Sequence, residues 1–373
     1  MNMLNQSTEL LIAFHARGFL LFAIWMLVWS TVLLILLMVV HKLIVERREK
    51  QITAAKHRFL SACYRQLAQP LYATPAPAGQ LQRTALTDAL IFLVKEVPHE
   101  RHEVLRAITR QHRLTEHFCR VASRSKSWVP RLTAAEKLGF LSLPELAPFF
   151  RSRLKVERDL HVRAKLLWGL SRVANADDAW QISRMLGSQP ILSSKFNELL
   201  FFGIIEAFQQ RGEHGECLAL VHDLLSSEEL QPLLKRDLVE ACGASHFTAA
   251  APRIRRFFLA RGADAMVRIA CLRAIGSMGG DPEGDHDGEL TMLSLHDEDW
   301  RVRAVAARYA HLAPDSVLAR LAELIADSSH FVRLNAALAL RANGEKGVAI
   351  LRKQLTEGEP AVRDLCAYVL HEV

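Results

Sequence analysis

The sequence predicts an all-α protein, a right-handed solenoid of stacked helix pairs preceded by one transmembrane helix. Three observations carry this. The phrase formed by a polar opening, Val-Arg and then small aliphatic residues returns at Val302-Arg303, Val332-Arg333 and Val362-Arg363, 30 residues apart. A fixed period of that size marks stacked units, each burying its apolar face on its neighbours. Phe19–Val40 is a run of 22 residues without charge, Pro or Gly. Half of the 373 residues are hydrophobic, which suits a packed chain and excludes a disordered one.

Taken in order, residues 1–18 form a short N-terminus on the far side of the bilayer, and 19–40 form the span. As a helix the span is about 33 Å long, enough for a hydrocarbon core of about 30 Å. It is longer than a signal-peptide core and lacks a small-residue cleavage site. Lys42, Arg47, Arg48 and Lys50 follow it, with Lys56 and Arg58 beyond, whereas only Arg17 precedes it. The positive-inside rule then places 41–373 in the cytoplasm, so the expectation is a single-pass protein of the inner (plasma) membrane. Residues 41–69 continue as a basic helical stalk whose apolar stripe is Ile52, Phe59, Leu60, Cys63, Tyr64 and Leu67. That stripe packs on the first repeat, a second copy or a partner. The segment 70–79, with Pro70, Pro75, Pro77 and Gly79, is read as a linker.

The solenoid is expected over 80–373. Second-helix phrases begin near Trp128, Leu160, Met266, Trp300, Phe331 and Ala361, with two weaker copies at 193–208 and 232–243. Pro130 interrupts the Val-Arg pattern between Val129 and Arg131. The units resemble HEAT repeats, in particular the short bacterial type named after the phycobilisome lyases. The residues that carry the resemblance are AIGSMGGDPEG at 274–284 and the phrase ending in DEDWRVRAVAARYA. The resemblance covers about 125–373. It implies paired helices with an Asp turn between them and an Arg one turn into the second helix.

Candidate chemistry is sparse. Arg163, Arg268, Arg303, Arg333 and Arg363 align as a ladder along the stack. They read either as a strip for an acidic partner or anionic group, or as structural bonds to the acidic turns. The insertion 281–289 has carboxylates in partial EF-hand order, but Ser294 stands where the bidentate Glu is required, so a solvated loop is expected. His99 and His102 are three residues apart, and surface histidines are expected. The six cysteines form no CxxC pair and read as buried thiols of a reducing compartment. No cofactor, metal or catalytic residue is assigned, and no nucleotide-binding or nucleophile-elbow motif occurs.

The functional expectation is a non-enzymatic scaffold that binds a partner protein of unknown identity and localises it to the lipid bilayer. The net charge of +7 permits anionic partners, but the anchor makes nucleic acid an unlikely one. Two alternatives stand beside it. One is a lyase-like enzyme acting on a tetrapyrrole or a partner protein, and the other a binder of anionic lipid or polymer through basic residues. The two weaker units and the 281–289 loop, where the repeat pattern breaks, are where a functional surface is expected.

Overall fold

A computed structural model describes residues 2–69, 71–188, 193–259, 264–279, 289–312 and 315–371. Among these residues there are helices, turns and short 3-10 segments, and no strand. The chain divides into two compact units, Met1–Leu114 and Thr115–Val373. The boundary therefore falls inside the stretch read from sequence as one solenoid.

The first unit is built on α1 (Asn2–Ala68), with α2 (Gly79–Glu96) and α3 (His102–Gln111). No Pro or Gly interrupts α1 after Gly18, so nothing in the chain stops the helix before Pro70. From Trp25 to Gln51 every side chain is exposed. Farther along, Phe59, Ala62, Cys63 and Leu67 are buried, packing on α2. Lys56 lies over the Phe92 ring at 5.2 Å. Tyr64, expected within the apolar stripe, is 49% exposed; the buried face runs through Ala62 and Cys63 instead. Leu86, Leu90 and Leu93 of α2 are fully buried, each worth about 2 kcal/mol against exposure. The segment after α1 is pinned at Thr74, whose N–H and hydroxyl donate to Gln66 Oε1 at 2.9 and 2.6 Å.

The second unit opens with α4 (Leu114–Arg124), which begins at the boundary, and continues as two layers. One layer is α5 (Trp128–Leu141), α7 (Leu160–Ser171), α9 (Ser194–Arg211), α11 (Pro232–Ala244), α13 (Ala265–Ser277), α15 (Trp300–Tyr309), α17 (His330–Ala342) and α19 (Pro360–His371). Each of these helices packs on the next of its layer. The other layer is α6 (Ala147–Val156), α8 (Ala176–Ser188), α10 (His214–Ser226), α12 (Ala251–Leu259), α14 (Glu289–Leu295), α16 (Leu318–Leu324) and α18 (Gly344–Glu357). The two layers enclose one continuous apolar core, as an all-α solenoid requires.

The recurrent phrase explains the first layer. Val162, Val302, Val332 and Val362 are buried, as are Ala306, Ala307, Ala336 and Ala337, so small side chains set the spacing between neighbouring helices. At Gly243 two neighbouring helices of this layer approach closely: a Cβ there would lie 2.7 Å from Cα of Ala274. The two weaker copies expected from sequence are α9 and α11. Pro130 sits in the first turn of α5, where its missing N–H has no helical partner to lose, and Arg131 keeps the ladder position. Most of the 281–289 insertion lies outside the described residues; Glu289 opens α14.

Candidate functional site

Two of the turns before first-layer helices carry carboxylates two residues apart with separate jobs. At 157–159 the second, Asp159, caps α7 by accepting the N–H groups of His161 and Val162 at 3.0 and 3.1 Å. At 297–299, Asp299 caps α15 through the Arg301 N–H at 2.8 Å. Such caps satisfy the free donors of a helix start. The first carboxylate of each pair faces the preceding helix of its layer. Arg131 grips Glu157 through Nε and Nη2 at 3.0 and 2.9 Å. Arg268 grips Asp297 at 2.8 and 2.9 Å, and Arg303 grips Asp327 at 2.9 and 3.1 Å. The planar guanidinium suits this two-bond geometry.

The remaining nitrogen holds the arginine's own turn. Arg131 Nη1 donates to the carbonyls of Ser125 and Lys126 at 3.0 and 3.1 Å. Arg303 Nη1 does the same to Asp297 and Glu298 at 2.8 and 3.0 Å, and Arg333 Nη1 to Asp327 and Ser328 at 2.8 and 3.0 Å. One side chain thus ties two consecutive turns. Burial alone would raise the carboxyl of Asp327, but hydrogen bonds from Arg303 and from the Ser329 N–H hold it below its ordinary value. Glu157 behaves likewise, with burial opposed by Arg131, the Asp159 N–H and Arg153. At Asp299 the bond from Arg301 brings the carboxyl to about 2.

Of the five ladder arginines named from sequence, Arg268 and Arg303 are therefore ion-paired within the stack. Arg163 is half-buried on α7, Arg333 is half-buried, and Arg363 is exposed on α19. Arg131, which was not in the set named from sequence, belongs to it; its spacing of 32 residues from Arg163 was the available signal. Other cations are used in the same way. Arg151 grips Asp178 at 2.5 and 2.8 Å. Arg172, Arg211 and Arg341 each donate to a carbonyl near the end of a neighbouring helix, at Gly139, Ala174 and Val369. Lys165–Glu136 at 2.6 Å and Arg273–Glu240 at 3.5 Å tie adjacent first-layer helices. Burial raises the Glu240 carboxyl despite Arg273 beside it.

The cations that follow the apolar run, Lys42, Arg47, Arg48 and Lys50, are all exposed along α1. Lys42 meets Glu46 at 3.9 Å with both side chains largely in solvent, a pair of little energetic weight.

The thiols do not offer a reactive group. Cys63, Cys217, Cys242, Cys271 and Cys366 are buried and Cys119 partly so. Burial pushes Cys63 and Cys119 up to about 11 and Cys217 up to about 12, so these three are protonated at neutral pH. Among the described residues no group of three His, Cys, Asp or Glu side chains is placed to hold a metal. His102 corrects an expectation: it is buried, and its Nε2 lies 3.0 Å from the Val97 carbonyl, to which its N–H donates. A cavity of about 330 Å³ lies between α8 and the turn before α11, lined by Trp180, Arg184, Glu229 and Leu230. It holds one exposed ion pair, Arg184–Glu229 at 3.7 Å.

These features define a helical repeat stack whose turns are stitched by arginine–carboxylate pairs. The family model for HEAT repeats matches residues 289–371, the segment that contains Asp297, Arg303, Asp327 and Arg333. No curated protein matches the chain.

Proposed function

We propose that the chain is a membrane-anchored scaffold whose helical stack faces the cytoplasm, binds a partner protein and holds it at the bilayer. HEAT repeats support a helical scaffold for protein interaction. The observation that carries the anchored reading is the two-ended character of α1. From Trp25 onward it contains a window of mean hydropathy 2.3 with none of it buried, whereas Phe59, Cys63 and Leu67 are core residues. One uninterrupted helix is thus suited to lipid at one end and to protein at the other. Between them lie Lys42–Gln51, all exposed, a spacer of about 15 Å. The basic flank favours the cytoplasmic side for the stack. Tethering raises the effective concentration of a bound partner at the membrane. The reading assigns the chain no reaction.

The pairing of Arg131, Arg268 and Arg303 with carboxylates favours a protein scaffold over a general binder of anionic polymer, because those cations are already neutralised. The test is alkaline extraction of membranes carrying the full chain, beside a form lacking residues 2–45. The full chain should stay in the pellet and the shortened form should be released, since the cut leaves the α1–α2 packing intact. Release of the full chain, or retention of the shortened one, refutes the anchor. For the partner, photocrosslinkers along α11–α17 in membranes, read by mass spectrometry, should capture one protein reproducibly; capture of lipid alone refutes the scaffold.

A further inference from the structure

The stitch between consecutive turns is made three times over and then lapses at the last step. By register, Glu357 stands where Asp327 and Asp297 stand: it is six residues before Arg363, as Asp297 is before Arg303 and Asp327 before Arg333. It is also 24 residues after Arg333, as Asp327 is after Arg303. Yet Glu357 does not reach Arg333. Asp297 and Asp327 lie in turns beyond the ends of α14 and α16, free to point back at the preceding arginine. By contrast α18 continues through Glu357, so the side chain leaves from a helix. It is 64% exposed and meets Lys353, one turn earlier, at 3.8 Å.

Arg333 is left open as a result, and Arg363 stands open on the next helix of the layer. Arg333 uses Nη1 on its own turn, but its Nε and Nη2, the atoms that take the carboxylate in Arg131, Arg268 and Arg303, have no carboxylate partner among the described residues. Arg363, one helix along, is exposed and carries no ion pair. The first turn of α17 also presents Phe331, 60% exposed and stacked on Trp300 at 5.7 Å. The first turn of α17 thus carries both an exposed aromatic ring and an arginine without an ion pair, the residue types of a protein-binding edge.

We propose that Arg333 and Arg363 form a docking site for an acidic segment of a partner protein, whose carboxylates complete the stitch that Glu357 leaves unmade. This rests on the scaffold reading and names the chemistry of its partner. Carboxylate is favoured over phosphate because the fork at this register takes carboxylates three times, in Arg131, Arg268 and Arg303, each carboxylate held also by a backbone N–H of its turn. For Asp297 and Asp327 that second bond is 2.9 and 2.8 Å.

The test uses the full chain in nanodiscs and three probes: a fluorescent hexapeptide of alternating Asp and Glu, inositol hexakisphosphate, and vesicles containing phosphatidylglycerol. The peptide should bind the wild type, more weakly as salt rises. Arg363→Glu, at an exposed site that bears on no core contact, should weaken it about fivefold or more. Arg333→Gln with Arg363→Gln should weaken it more than about tenfold, with unchanged helicity as the control for folding. Arg47→Gln with Arg48→Gln should leave peptide binding unchanged. Equal peptide binding by wild type and Arg363→Glu overturns the proposal. So does binding of the phosphate or the vesicles, but not the peptide, in a manner lost with Arg363→Glu. Glu357→Gln separates the remaining alternative: if it destabilises the stack as Asp327→Asn does, Glu357 itself is the partner of Arg333 and the proposal falls. A protein captured by crosslinking while the hexapeptide fails to bind leaves the scaffold standing and removes this site from it.

Discussion

Replacing Arg303 by Gln should destabilise the stack far more than replacing Arg363 by Gln, although both occupy the same place in the repeat. Arg303 is 14% exposed and Asp327 8%. Removing the guanidinium breaks two bonds to the Asp327 carboxylate and two to the carbonyls of Asp297 and Glu298. Asp327 keeps its bond from the Ser329 N–H but loses its countercharge in a largely desolvated turn. Breaking one side of a buried pair costs about 3–5 kcal/mol, and the partial exposure here argues for the lower end, about 3 kcal/mol. Arg363→Gln removes no ion pair and should change stability by less than about 0.5 kcal/mol. Urea unfolding followed by circular dichroism measures both, with hydrogen exchange over 296–303 and 326–333 to locate the loss. The acid limb supplies an independent check. The Asp327 carboxyl is held below its unfolded value, so its stabilisation is full above about pH 4 and disappears as pH falls through the depressed value. Arg303→Gln should flatten that limb. Equal losses from the two substitutions, or an unchanged acid limb, would refute the stitch as the source of stability.

Three further outcomes follow from particular contacts. Gly243→Ala gains about 1 kcal/mol of helix propensity, but its Cβ meets the Ala274 backbone at 2.7 Å; the net should be a loss of about 1–2 kcal/mol, while Gly215→Ala, with open space around it, should stabilise. A stabilised Gly243→Ala would mean α11 and α13 are farther apart than described. His112 is lowered by burial and by the Arg83 charge, against a hydrogen bond to the Thr74 backbone. Its contribution is therefore full above about pH 6.5 and lost as pH falls below it, so exchange at 71–78 should quicken between pH 7.5 and 5.5 beyond the intrinsic rate change; no excess would count against it. Phe59→Asp should open the α1–α2 packing and make α2 protease-sensitive, whereas Tyr64→Asp, on the exposed face, should not.

The layered stack was legible because its signal is periodic. Val302, Val332 and Val362 mark the buried line and the alanines mark close helix packing, and both recur at the repeat length. That the arginines could bond the acidic turns was legible, but which acceptor each one meets was not, because a fixed spacing places side chains in register without naming their partners. Arg268 and Arg303 pair with the turn of the following unit, across 29 and 24 residues; Arg333 stands in the same register and does not. The difference lies in where the second-layer helix stops, a boundary that sequence patterns fix poorly. His102 was misread for a related reason: a polar residue on a short helix gives no sign of whether a carbonyl waits for it in the core. Pro130 looked like a break in the pattern, yet a first-turn position tolerates it.

That contrast changes where function should be sought. A repeat protein spends charge twice per turn, once to cap a helix and once to bind its neighbour, and a ladder so spent has no free valence for a ligand. The middle of the stack departs from this scheme: Asp237, 2% exposed, accepts from Ser194, Asn197 and Arg236 in place of the usual fork. Degeneracy of the motif at α9 and α11 therefore reflects a substitute set of bonds rather than an open surface. The opposite holds at α17 and α19, where the motif is best preserved and its last bond is missing. Conformity to the repeat supplies the arginine, and the extra length of α18 withholds the carboxylate. A free recognition group thus arises at the most regular end of the chain.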